Sequence, residues 1–333
     1  MSKWYIDKGE QGDIVLSTRI RLARNLDEFP FPSKLDAEGR EKVNSAVKSA
    51  LLCDGSDLSY IDMKSLSEIQ AVSLAEKHLI SPEFAARRDG TALLLSSDES
   101  VSIMLCEEDH IRIQVIKAGL ALEQAYAEAD KIDTILDGKL KYAFDERIGY
   151  LTQCPTNLGT AMRASVMLHL PALTRCGQIA RLAGTVSKLG LTIRGAYGEG
   201  SASTGDIYQI SNQITLGITE TAIANLRSIV LQLVAQERSA AQEIVKNPAE
   251  EDKIFRALGV LQNARLLSSD EFMELISEVR LGAARGVVDI PLEKINELIV
   301  NMQPATISAA ADGAIGPAAR DAARAKAVRE ALA

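Results

Sequence analysis

The sequence predicts an α+β fold: an antiparallel β-sheet with flanking helices, followed by a small all-α C-terminal domain. Three observations carry this reading. Apolar and polar residues alternate with period two between 91 and 116. Two further strand-like segments, 191–197 and 206–211, flank a glycine/serine-rich stretch. Beyond about residue 245 only helical periodicity remains. A chain of 333 residues is long enough for about two domains, and the division is expected between 1–245 and 246–333. With 47% hydrophobic and 25% charged residues, disorder and fibrous structure are excluded. A net charge of −8 argues against a general nucleic-acid or membrane-surface binder and leaves room for a local basic pocket.

Each element follows from local pattern. Residues 14–22, Ile-Val-Leu-Ser-Thr-Arg-Ile-Arg-Leu, read as a strand. Ser17, Arg19 and Arg21 then share one face, and Thr18, Ile20 and Leu22 the other. Pro30 and Pro32 break the chain, and helices are predicted over 36–52 and 65–78. Strands over 91–96, 101–106 and 111–115 form a meander whose last turn is Glu107-Glu108-Asp109-His110. A helix is expected over 118–136 and a short strand over 148–152. Cys154-Pro155-Thr156-Asn157-Leu158-Gly159-Thr160 reads as a loop opening a helix at 161–170, with Pro171 starting another. The stretch 198–205 between two strands is a candidate mobile lid. A long helix over 220–246 ends before Pro248. Ser268-Ser269-Asp270-Glu271 forms a capping box, and Pro317 opens a final Ala/Arg helix. No apolar run reaches the roughly 18 residues of a membrane span, and Met1–Asp13 lacks an apolar signal core. The four cysteines form no C-x-x-C pair, so free thiols in a reducing cytoplasm are expected.

Arg19, Arg21, Arg112, Arg163 and Arg194 stand at polar positions of strands or beside glycine loops. Arginines gathered inside an acidic protein suit a phosphate pocket, because guanidinium groups clamp phosphate oxygens in pairs. Read from spacing alone, unrelated surface charges are the favoured reading. The acidic turn 107–109 and Glu199 are solvated surface groups on a bland reading. Facing each other, two carboxylates could hold a guanidinium, and one could accept its proton. Cys154 lies beside Thr156 and the expected helix start, where hydroxyl groups and the helix dipole could lower its pKa; a buried inert thiol fits the position equally well. Cys53, Cys106 and Cys176 read as packing residues. His78, His110 and His169 make no metal cluster, so no metal site is expected. Arg320 and Arg324 lie four apart on one helix face, with Asp321 three residues before Arg324.

Together these residues spell a resemblance. Ser-Thr-Arg-Ile-Arg (17–21), Glu-Glu-Asp-His-Ile-Arg (107–112), Cys-Pro-Thr-Asn-Leu-Gly-Thr (154–160) and Arg-Gly-Ala-Tyr-Gly-Glu (194–199) resemble, in order, the motifs of the phosphagen kinases. That family of ATP:guanido phosphotransferases has a glutamine synthetase/guanido kinase-like catalytic domain. The first motif starts almost at once, without the helical domain that precedes it in phosphagen kinases. A helical C-terminal domain carrying Arg-Asp-x-x-Arg-Ala at 320–325 follows instead. Both features look like the bacterial protein-arginine kinases (the McsB type). One departure is Cys106, where the family usually has asparagine.

The resemblance implies transfer of the ATP γ-phosphoryl group to protein arginine, with Mg²⁺. It makes Glu108 the catalytic base, Glu199 the partner carboxylate and Cys154 the reactive cysteine at the guanidinium end. It implies an ATP site of Ser17, Thr18, Arg19, Ile20 and Arg21, of His78 and Arg112, of Arg163, Ala164, Ser165, Val166 and Met167, and of Arg194, Gly195, Ala196, Tyr197, Gly198 and Glu199. Arg320, Asp321, Arg324 and Ala325 would bind phosphoarginine allosterically. The resemblance further implies a cytoplasmic homodimer in a stress response, with an activator of the McsA type, the ClpC–ClpP protease and the repressor CtsR as partners. A kinase for free arginine or another small guanidine, and a phosphoarginine-binding regulator without catalysis, are the competing readings.

Overall fold

The computed structural model describes residues 3–52, 56–196, 203–213, 215, 217, 219–311, 313 and 315–333. The elements in chain order begin with β1 (Val15–Arg24), α1 (Ala37–Leu51), β2 (Leu58–Asp62), α2 (Glu68–Glu76) and α3 (Pro82–Ala86). Next come β3 (Ala92–Ser96), β4 (Val101–Leu105), β5 (Ile111–Ala118) and α4 (Leu122–Asp137). A small ribbon of β6 (Phe144–Asp145) and β7 (Gly149–Tyr150) precedes β8 (Met162–His169). Then follow α5 (Pro171–Arg175), α6 (Ile179–Ser187), β9 (Leu191–Gly195), β10 (Ile207–Asn212) and α7 (Thr219–Ile244). The chain ends in α8 (Pro248–Asn263), α9 (Ser269–Ala284), α10 (Leu292–Asn301), α11 (Pro304–Ala310) and α12 (Pro317–Leu332).

Eight strands form one antiparallel sheet in the order β2-β3-β4-β5-β1-β8-β10-β9. Strand periodicity divides it into two chemically different faces. Ile20, Leu22, Ile113, Val115, Ala164, Val166 and Ile210 form one face and are buried against the apolar stripes of α1, α4 and α7. Val43 and Val47, Ala125 and Ala129, and Leu226 and Val230 supply those stripes. Fully burying each large aliphatic side chain stabilises by roughly 1.5–3 kcal/mol, which fixes the register because a slip by one residue would invert both faces. The other face carries Arg19, Arg21, Arg112, Gln114, Arg163 and Gln209 at the alternate positions.

The expected helix at 161–170 is instead the strand β8. Ala164, Val166 and Leu168 alternate with Arg163, Ser165 and Met167, and this pattern pairs Arg163 with Arg21 and Ser165 with Arg19. Methionine, alanine and leucine favour helix locally, but burial on a pleated face overrides that preference. β2 was not predicted, and the strand expected at 148–152 is reduced to Gly149–Tyr150. The helix expected over 118–136 starts only at Leu122, because β5 runs on to Ala118. The strand expected over 191–197 ends at Gly195, and Cys53 and most of the 198–205 stretch lie outside the described residues.

The terminal helices pack on the cleft side of the sheet. Leu16, Met167 and Ile207 join Phe272, Met273 and Ile276 of α9 in one buried cluster. Among the described residues, no helix is long and apolar enough to cross a membrane.

Candidate active site

The strand order brings arginines from distant parts of the chain to one wall. Arg21 faces Arg163 across β1 and β8, and Arg112 lies on β5 on the other side of β1. Arg19, Arg21, His78, Arg112, Gln114 and Arg163 line a cleft of about 650 Å³. Arg112 also borders an adjoining recess of about 430 Å³, lined with Glu83, Arg87, Glu107, Glu108 and Gln153. The cleft gathers the arginines and carries Glu68, Glu76 and Glu83 on its α2–α3 side, the recess holds Glu107 and Glu108, and Arg112 borders both.

The cations are crowded, and Glu107 offsets them only in part. Burial, and then Arg163 and Arg112, push the Arg19 guanidinium down to about 10. Burial and the neighbouring Arg19, Arg112 and Arg163 lower Arg21 well below its ordinary value. Burial, Arg194 and Arg112 lower Arg163, whose buried Nε has no hydrogen-bond partner among the described residues. A polyanion would relieve this repulsion and supply the missing acceptors. Arg19 is aimed by Gln209, which accepts from Nη2 at 2.5 Å, and by Ser165 Oγ, 3.4 Å from Nε. Burial and the Arg19 charge hold His78 neutral, down to about 3. Its backbone adopts φ +61°, and its carbonyl accepts from Gln114 Nε2 at 2.9 Å.

The two glutamates of the acidic turn differ. Glu107 is locked: its carboxylate accepts from Ser81 Oγ at 2.6 Å and pairs with Arg112 Nη2 at 2.7 Å. Its side chain is 9% exposed, against 38% for Glu108. Glu108 holds Arg112 at 3.2 Å and Asn157 Nδ2 at 3.5 Å, which leaves it free to meet a ligand in the recess. Burial raises its pKa; Arg112 opposes the shift, and Asp109 and Glu107 add to it. A carboxylate with a raised pKa is a stronger proton acceptor.

Cys154 is half-buried, with Sγ 3.0 Å from Thr156 Oγ1. The helix dipole invoked for it is absent. Pro155–Asn157 is a three-residue 3₁₀ turn, and the chain then enters β8.

Several expected site residues point elsewhere. Thr18, Ile20, Ala164 and Val166 belong to the opposite, apolar face, and Thr18 Oγ1 donates to the Gly119 carbonyl at 2.6 Å. Ser17 and Met167 border a small void beside Trp4, Arg19 and His78. Ala196 lines the cleft, Gly195 ends β9, and Arg194 is exposed opposite Gln209. Tyr197, Gly198 and Glu199 lie outside the described residues. Gln114, Gln209, Ser81 and Asn157 were missed. Gln114 and Gln209 share the strand phase of the arginines, a usable signal, whereas Ser81 and Asn157 enter only through tertiary contacts.

In α12, Arg320 and Asp321 are half-buried, but Arg324 is 1% exposed. Arg324 donates to the carbonyls of Met302 at 2.9 Å and Leu267 at 2.7 Å, and to Asp321 at 2.9 Å. Ala325 is fully buried. The two arginines read as one charged face are therefore unlike: Arg324 holds the helices together, and Arg320 is the accessible one.

Among the described residues, no group of three or more histidine, cysteine, aspartate or glutamate side chains converges to hold a metal ion.

The sequence model of the ATP:guanido phosphotransferase C-terminal catalytic domain matches residues 39–240. That of the protein-arginine kinase McsB C-terminal domain matches residues 249–333. The protein-arginine kinase of Halothermothrix orenii is 44% identical over 100% of this chain and 97% of its own. That of Geobacillus stearothermophilus is 45% identical over 100% of this chain and 94% of its own. Among solved structures, a duplicated taurocyamine kinase from Schistosoma mansoni, with bound transition-state analogue components, aligns with TM-score 0.62 and 25% identity. The alignment covers 78% of this chain and 40% of that one. A lombricine kinase shares the fold with TM-score 0.60 and 24% identity, over 70% of this chain and 68% of its own. With an arginine-walled cleft opening onto a half-free glutamate, and relatives that match along its whole length, the chain belongs to the ATP:guanido phosphotransferase family, on its protein-arginine kinase side.

Proposed function

We propose that this protein is an ATP-dependent protein-arginine kinase, which transfers the γ-phosphoryl group to a guanidino nitrogen of arginine side chains in proteins. The observation that carries the reading is the junction at Arg112, where an anion-seeking cleft meets the Glu108 recess. Arg19, Arg21, Arg112, Arg163 and Arg194 are assigned to the nucleotide phosphates, and His78 to the nucleotide beside Arg19. Magnesium ion, entering as MgATP, neutralises phosphate charge when bound.

Phosphoryl transfer depends mainly on positioning and charge stabilisation, which a fixed arginine wall supplies. The acceptor is the harder problem, since a guanidinium has pKa above about 12 and no free lone pair. Glu108, aimed by Arg112 and Asn157, accepts a proton from the guanidinium as the N–P bond forms and the bond to ADP breaks. Cys154 is assigned to the guanidinium end and Glu199 to the second carboxylate. The boundary at 245/246, a homodimer, a cytoplasmic location, an activator of the McsA type, marking for a ClpC–ClpP protease and control of CtsR belong to the same proposal. So does phosphoarginine binding at the 320–325 motif, with Arg320 and Asp321 as the accessible contacts.

Glu108→Gln tests the reading. It should lower phosphorylation by a factor of about 10²–10⁴, the usual worth of a general base, while the thermal melt is unchanged. Full activity in a folded Glu108→Gln protein would remove Glu108 as the base. The solved neighbours' small-guanidine names favour one alternative, phosphorylation of a free guanidine. Offering a casein-like protein and free arginine in parallel, with acid-labile phosphate read by mass spectrometry at neutral pH, separates the two. Product on free arginine alone would overturn the protein-kinase reading.

A further inference from the structure

The last residue of α2 makes a contact that helix electrostatics does not favour by itself. Glu76 places a carboxylate at the negative C-terminal end of its helix. It is compensated from outside, by the start of α11. Its oxygens accept from Ala305 N at 2.8 Å, Thr306 N at 2.7 Å and Thr306 Oγ1 at 2.9 Å. Ser73, one turn earlier on α2, meets the same threonine hydroxyl at 3.1 Å.

Both ends of this contact lead to sites already described. Glu76 itself borders the cleft, and two residues beyond it is His78, in its left-handed conformation on the cleft wall. Three residues further, Ser81 binds Glu107, which holds Arg112. On the other side, Met302 and Gln303 lead into α11, and the Met302 carbonyl is the acceptor for Arg324 Nε. The short segment 76–81 and the helix α11 thus join α12 to the arginine wall by hydrogen bonds at Arg324–Met302, Thr306–Glu76 and Ser81–Glu107, with the backbone between them.

We propose that Glu76 is a positioning residue for the nucleotide cleft, and that through Thr306 and α11 it ties the geometry of His78 and Arg112 to the state of α12. Glu76 does no chemistry. Its role is to hold the end of α2 where His78 meets the nucleotide. Because coupling between two sites is reciprocal, anything that shifts α11 changes nucleotide affinity, and nucleotide binding changes affinity at α12 by the same factor. The regulatory half rests on the proposed phosphoarginine reading of α12; the positioning half does not.

The test uses the full chain with Glu76→Gln, Thr306→Val and the double variant. Thermal melting first establishes that each is folded. We expect the KM for ATP to rise about fivefold or more in each single variant, the lower range of site-to-site coupling, with kcat within about threefold. The double variant should be no worse than the stronger single variant, since both break one link. An unchanged KM in folded Glu76→Gln, or a fully additive double variant, would overturn the proposal. So would a loss confined to kcat.

Phosphoarginine titration is the second arm. In the wild type, phosphoarginine should lower the KM for ATP, and Thr306→Val should abolish that effect while phosphoarginine still binds. An undiminished effect in Thr306→Val overturns the coupling route. Failure of phosphoarginine to bind the wild type overturns the phosphoarginine reading and leaves the KM result to judge Glu76.

Discussion

On β1, Arg21 faces the cleft and Arg24 faces α4. Arg24 is 3% exposed and saturated: Asp133 accepts from Nε at 3.0 Å and from Nη2 at 2.7 Å, and the Tyr150 ring lies 3.5 Å from the guanidinium carbon. Arg21, three residues away, makes no hydrogen bond or ion pair among the described residues and looks across at Arg163. Burying a charge is costly unless it is paired, so each arginine has a different account. Arg24 contributes to the fold through its partners. Arg21 is held by the fold against its own repulsion, which makes sense where a polyanion arrives. Arg280 repeats the first pattern, donating to the Gly12 and Asp13 carbonyls and to Asn296. Burial alone therefore does not separate structural from functional arginines; the presence of built-in acceptors does.

The sharpest way to break this comparison is to remove each arginine in turn. Arg21→Ala should lower kcat/KM by a factor of about 10²–10³, the worth of one preorganised charge-stabilising donor, with stability unchanged or raised. Arg24→Gln should do the reverse. It strands Asp133 and should cost about 3–5 kcal/mol of stability, with activity per folded molecule nearly intact. Urea unfolding alongside the kinase assay reads both. If Arg21→Ala destabilised as much as Arg24→Gln, the contrast would fail.

The carboxylates offer a parallel pair of smaller effect. Glu237 on α7 is fully buried and accepts the Ala172 and Leu173 amides, each at 2.9 Å. Burial raises its pKa to about 7, the two amides oppose the rise, Asp206 adds to it and Arg285 lowers it. A raised native pKa means that the folded state binds the proton more tightly. The stabilisation is complete below the unfolded value near 4.5 and is lost as pH rises through about 7. A shift of that size corresponds to about 3 kcal/mol. His169, held neutral by burial and by Arg280 and Arg175, contributes with opposite sign, so the readout is a difference. Stability of Glu237→Gln should fall less between pH 5 and pH 8 than that of the wild type, and identical slopes would sink the assignment. Glu108 is expected to speak through rate instead. Its raised pKa moves the acid limb of the pH–rate profile above that of an ordinary carboxylate, with activity falling as pH drops through it.

The same contrast explains what could be read without coordinates. Strict alternation made β1 and the β3–β4–β5 meander legible, together with the shared phase of Arg19 and Arg21. β8 was misread because Met162, Ala164, Met167 and Leu168 suit a helix individually, and only burial beside β1 makes them a strand. Arg163 was thus expected on a helix and stands on a strand, facing the cleft. Gln209 reaches Arg19 because β10 lies beside β8, a non-sequential neighbour that no local pattern encodes. The difference between Arg320 and Arg324 was hidden for the same reason, since the acceptors for Arg324 come from Met302 and Leu267.

Two cysteines give the smallest and last test of the division between cleft and core. Cys106 is fully buried, and burial pushes its thiol up to about 12, with Arg40 opposing. Cys154 is half-buried, with the Thr156 hydroxyl as a partner. The thiolate is the reactive species, so exposure and pKa act together to protect Cys106. Brief alkylation of the folded protein at neutral pH, mapped by peptide mass spectrometry, should label Cys154 and spare Cys106. Cys154→Ser should lower activity about tenfold at most, because Glu108 keeps its contacts to Arg112 and Asn157 without the sulfur. A loss as large as that of Glu108→Gln would make the thiol a participant in proton transfer rather than a group that helps seat the guanidinium.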